Sequence, residues 1–195
     1  MITKLILTAG VVMTLTVSGL YDRIPFMPVS EHTKVPNTKQ DFEKSVRQKK
    51  ASALELKNKV PADERILTTF TFAKALSEQE VQKLVDLYEL ELTHVYSRFI
   101  DGQGLRATSV NRVKGTPYVD KAFIDDQIKR LGGEYKGIIE ANGYIKAGML
   151  EKAAQEKLIY VADIDGDPKV TYNPKKKFPV GQYWNLEDYK LTLAE

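Results

Sequence analysis

The chain has 195 residues, 43% of them hydrophobic and 28% charged, which is room for one domain with a real core plus flanking segments but cramped for two. It has no cysteine, which excludes disulfides, thiolate metal sites, a cysteine nucleophile and a lipid-modified cysteine at the end of an export signal. The formal charge of +3 falls only to +2 without residues 1–19, which hold Lys4 alone among charged side chains, so nucleic acid is not among the expected partners.

Met1 to Lys4 is a short positive start, followed by the apolar run Leu5 to Leu20 and then by Tyr21-Asp22-Arg23. This order is that of a secretory signal, and Val17-Ser18-Gly19 places tolerated residues where a signal peptidase reads, with cleavage after Gly19. A retained membrane anchor is the alternative for residues 1–20. Against it, sixteen helical residues span only ~24 Å of a ~30 Å hydrocarbon core. Either way the rest of the chain is expected outside the cytoplasm of a bacterial cell, secreted or held at the envelope.

Residues 21–62 form a tether and a charged helix. Pro25, Pro28 and Pro36 favour extended backbone. From Asp41 to Lys59 the pattern turns helical, with Phe42, Val46, Ala53 and Leu56 apolar, and it ends before Pro61. Seven basic against three acidic residues between Lys39 and Lys59 fit either a solvated helix face or attraction to an anionic envelope surface.

A domain is expected over residues 63–167. Arg65 to Phe72 alternates Ile66, Thr68, Phe70 and Phe72 against smaller or polar residues, the period of a strand with one side buried. Ser77-Glu78-Gln79-Glu80 is a capping box, and Val81, Leu84, Val85 and Tyr88 follow at helical spacing. Leu90 to Phe99 reads as a second strand. The insertion 100–134 opens with the turn signal Asp101-Gly102-Gln103-Gly104 and carries a helix from Val119 to Leu131, stopped by Gly132-Gly133. Residues 137–146 form a strand interrupted at Asn142-Gly143 by a bulge or tight bend, Met149 to Ala154 a short helix, and Leu158 to Asp163 a closing apolar strand. Two strand–helix–strand units bury their apolar faces by sharing one sheet with both helices on the same side, so the expected fold is α+β, a ferredoxin-like βαββαβ sandwich with a helical insertion between its halves.

Thr69-Phe70-Thr71-Phe72, Leu76-Ser77, Tyr135-Lys136-Gly137-Ile138 with Gly143, and Ile159-Tyr160-Val161-Ala162-Asp163 carry a resemblance. Over residues 64–166 the chain resembles the ferredoxin-like modules of bacterial exported proteins related to subtilase propeptides and peptidase-inhibitor-like domains. The resemblance implies a fold and, as one function, inhibition or folding assistance of a secreted subtilase-like protease.

Chemistry-bearing patterns are sparse. Asp163, Asp165 and Asp167 alternate as calcium ligands do, but Pro168 and Pro174 stand where an EF-hand loop places its glycine and its last carboxylate, so an acidic turn ending a strand is expected. His94 is in phase with Tyr96 and reads as an ordinary sheet residue, while His32 falls in the tether. No nucleophile elbow and no phosphate cradle is present. The tail, 168–195, holds Lys175-Lys176-Lys177 and a dense aromatic set. Within it Tyr183 and the sole tryptophan, Trp184, are candidate partner-binding anchors, or else pack the tail onto the domain. The expectation is therefore a non-enzymatic extracytoplasmic protein-interaction module with no catalytic, metal or cofactor residue assigned. Its partner is another extracytoplasmic protein, and residues 1–20 offer a route to the membrane. Protease control is the alternative, and hydrolysis of an envelope polymer by converging carboxylates a further one.

Overall fold

The computed structural model describes residues 36, 38–167, 169–170 and 178–193, so the signal or anchor segment, most of the tether and Lys175-Lys176-Lys177 fall outside the described residues. Five strands, β1 (Arg65–Leu76), β2 (Glu91–Ile100), β3 (Arg106–Arg112), β4 (Glu134–Lys146) and β5 (Ile159–Asp163), form one antiparallel sheet in the order β3-β2-β4-β1-β5. Helix α2 (Glu78–Tyr88) connects β1 to β2 past the intervening β4. Helix α4 (Leu150–Gln155), after a short turn of 3-10 helix, connects β4 to β5 past β1.

Local chemistry explains the boundaries. Ser77 and Glu80 form the reciprocal capping box that starts α2. Helix α3 (Lys121–Leu131) begins where the Asp120 side chain accepts from Ala122 N, and it ends at Gly132, whose φ of 60° is open to a residue without a Cβ. The insertion does not consist of a loop and a helix alone, as expected. Its first part is β3, which pairs with β2 from Ile100↔Arg106 to His94↔Arg112. Asp101 makes that hairpin, its Oδ1 accepting from the backbone of Gln103 and Leu105. Irregularity near Gly143 takes the form of a register shift on the β2 side, between Leu92 and His94, while β4 runs unbroken to Lys146.

One face of the sheet is apolar. Ile66, Phe70, Phe72, Val95, Phe99, Ile138 and Ile145 meet Val81 and Leu84 of α2, Leu150 and Ala153 of α4, and Phe123 of α3. Helix α1 (Lys39–Lys57) lies along the β5 edge and serves both faces, with Ala53 and Leu56 in this core and Phe42 and Val46 in a second cluster. An otherwise open sheet edge is thereby covered.

The second face departs from the expected pattern. Strand β1 is buried on both sides, since Leu67, Thr69, Thr71 and Ala73 are shielded as fully as the residues between them. What covers them is the C-terminal segment 178–193 with its helix α5 (Tyr183–Asp188), together with the first half of α1.

Candidate functional site

The register places polar residues in rows across this second face. Arg112, His94, Asn142, Thr69 and Asp163 align across β3, β2, β4, β1 and β5, and in the adjacent row Tyr96, Glu140 and Thr71 lie between the apolar ends Val110 and Val161. Alternation along each strand directs all of these away from the apolar core. A sheet face holding this many polar groups is stable out of water only if each group finds a partner.

The partners come from the sheet and from the C-terminal segment. Asn142 donates to Tyr96 Oη at 2.8 Å, and Thr69 Oγ1 lies 3.0 Å from both Asn142 Oδ1 and the carbonyl of Pro179. Gln182 N donates to Thr71 Oγ1 at 3.0 Å, and Tyr183 N donates to Glu140 Oε1 at 2.6 Å. Side chains of the sheet thus hold the main chain of residues 179–183, the way a protein grips a peptide. Gly181 lies flat on the Glu140 carboxyl, where a Cβ would sit 1.8 Å from Oε2.

Glu140 is the electrostatic centre. It is 6% exposed, and burial pushes its carboxyl up to about 7, against the opposing pull of the Tyr183 amide and the Arg98 guanidinium. The same burial, with Glu140 close by, raises the Tyr96 phenol. Arg98 is 1% exposed and grips Glu187 with two nitrogens, Nε to Oε1 at 3.1 Å and Nη2 to Oε2 at 2.7 Å. Its third nitrogen donates to Thr108 Oγ1 at 2.7 Å. Arg106 completes the clamp on Glu187 and Asp188.

Both anchors foreseen in the tail lie in this seam. Tyr183 is buried at 4% exposure beside Phe42, Val46, Ile139, Val161 and Leu186. Trp184 is half-buried against two guanidinium groups, Arg98 at 4.2 Å and Arg106 at 4.5 Å from its ring centre. The segment closes with Leu193 N donating to Ala73 O at 2.7 Å and Tyr189 donating to the carbonyl of Pro36 at 2.5 Å.

The acidic turn is occupied by protein groups. Lys49 of α1 bridges Asp163 at 2.5 Å and Asp165 at 2.7 Å, and Asp167 accepts from Leu67 N at 2.8 Å. His94 rests on Thr93 Oγ1, and burial with Arg112 nearby lowers its pKa. It borders a groove of about 680 Å³ that includes Glu91, Arg112 and Phe178, and a second groove of about 490 Å³ between α2 and α4 includes Tyr88 and Glu156. Neither brings two carboxylates together. Among the described residues no helix is long and apolar enough to cross a membrane.

Reading the sequence alone missed Glu140, Asn142, Thr69, Thr71, Tyr96 and Arg98. The signal that could have found them is polar alternation on several strands of one sheet, in a chain that also carries an aromatic-rich stretch after its last strand. No protein-family model matches the chain, and no curated protein or solved structure does so either.

Proposed function

We propose that this protein is a non-enzymatic protein-interaction module working outside the cytoplasm of a bacterial cell, secreted or held at the envelope. We further propose that its framework is a ferredoxin-like βαββαβ sandwich into which one edge strand and one helix, β3 and α3, have been inserted. The strand order β2-β4-β1-β5, with α2 and α4 on one side, supports that plan. The signal-like N-terminus supports the location.

One observation carries the functional reading: residues 179–183 are held through their backbone by Thr69, Thr71 and Glu140. Peptide recognition of this kind uses main-chain groups for affinity and side-chain anchors such as Trp184 for selectivity. Protease control is a narrower version, in which the partner is a secreted subtilase-like enzyme. In the modules that the sequence resembles, the sheet and the C-terminal segment both face the protease, whereas here these two surfaces lie against each other.

Mass spectrometry of the native protein after cell fractionation tests the proposal by reporting the mature N-terminus and the proteins that co-purify. Recovery outside the cytoplasm with a specific protein partner is expected. A cytoplasmic protein starting at Met1, or an envelope fraction that yields neither another protein nor a second copy of this chain as partner, would contradict it. Titration against subtilase-like proteases without loss of their activity would remove the narrower version.

A further inference from the structure

Resting on that interaction reading, we propose that the partner of the polar sheet face is the same segment of a second copy: two molecules exchange residues 178–193, each filling the other's groove. Three features of the seam lead there. The seat recognises backbone, through the Pro179 carbonyl and the Gln182 and Tyr183 amides, so it holds an arriving segment as well as a covalently attached one. Beyond the backbone it is matched by charge to this sequence in particular, with Arg98 and Arg106 bonded directly to Glu187 and Asp188 and both beside the Trp184 ring. Gly181 adds a steric filter, because any side chain there runs into Glu140.

The groove also demands an occupant. Arg98 and Glu140 are both buried, and once the segment leaves, Arg98 loses its bidentate carboxylate and Glu140 its amide donor. A molecule whose own segment is displaced therefore has a strong preference for another copy of the same pattern. In sequence, seven residues, 171–177, stand between Val170 and Phe178, and a chain of that length reaches at most about 25 Å. Attachment gives the molecule's own segment an effective concentration of about a millimolar, so exchange emerges near that protein concentration.

The absence of cysteine allows a direct test in the full chain. One preparation carries Thr69→Cys, the other Pro179→Cys, and neither can form an internal disulfide. Mixed at about 1 mM and oxidised, they are expected to give a covalent heterodimer about tenfold above a control in which Pro179→Cys is mixed with Leu87→Cys, an exposed position on α2. A second pair, Tyr144→Cys with Phe178→Cys, uses a ring contact 6.5 Å between centres and does not touch buried Thr69. Heterodimer yields at the control level for both pairs, each of which closes an internal disulfide when both cysteines are placed in one chain, overturn exchange. If fractionation then still recovers a different protein partner, the broader interaction reading stands without it; if neither is found, both fall.

Discussion

At the residue scale the decisive group is Glu140. Its carboxyl is raised from an ordinary value near 4.5 to about 7 by burial, and the charged groups facing it are Arg98 and Glu187. An acid whose folded pKa lies above its unfolded one contributes stability that is fully present below the unfolded value. That stability is lost as pH rises through the folded one, here between about 4.5 and 7. The loss amounts to up to about 3 kcal/mol. Glu140→Gln should remove this part of the pH dependence, which urea unfolding of both proteins at pH 5 and pH 8 would measure; parallel pH profiles would refute it. Lys49 offers a second residue-level prediction. Its ammonium is the cation beside Asp163, a carboxylate 1% exposed, so Lys49→Met should cost about 3 kcal/mol by leaving a buried charge alone. Adding Asp163→Asn to that variant should restore part of the loss, because the stranded charge is then gone.

At the scale of elements, the C-terminal segment behaves as a seated peptide whose fit depends on one position without a side chain. Gly181→Val places a Cβ where the Glu140 carboxyl lies, and that carboxyl is itself fixed among Thr71, Tyr183 and the covering chain. The variant should lift the segment while leaving α2, α4 and the apolar core intact. Emission from Trp184, the only tryptophan, should then shift to the red without a matching loss of far-ultraviolet circular dichroism. An unchanged emission maximum would mean that the segment is not held at Gly181. The elements themselves differ in how readable they are from sequence. Helix α2 announces itself through Ser77 and Glu80, and α3 through Gly132, because caps are local chemistry. Strand β3 is quieter. Arg106 to Arg112 has only Ala107 buried, so its apolar signal is faint, although the turn at Asp101 followed by alternating Ala107, Ser109 and Asn111 is the trace of a hairpin.

At the scale of the whole molecule, the sheet is sealed by helices on one side and by its own chain end on the other. The first seal is legible in the spacing of apolar residues. The second is not, because Thr69, Thr71 and Glu140 resemble solvent-facing strand positions until a segment more than 40 residues beyond Glu140 in the chain is folded onto them. Tyr183 and Trp184 are legible as aromatic anchors, but only the fold places them against Phe42, Arg98 and Arg106. The most direct measurement of this arrangement is amide hydrogen exchange at Gln182 and Tyr183 in the intact protein. Both amides should exchange at least about 100-fold more slowly than in an unstructured peptide. Exchange at unstructured rates, while the amides of Phe70 and Ala141 in the sheet centre stay protected, would contradict the account.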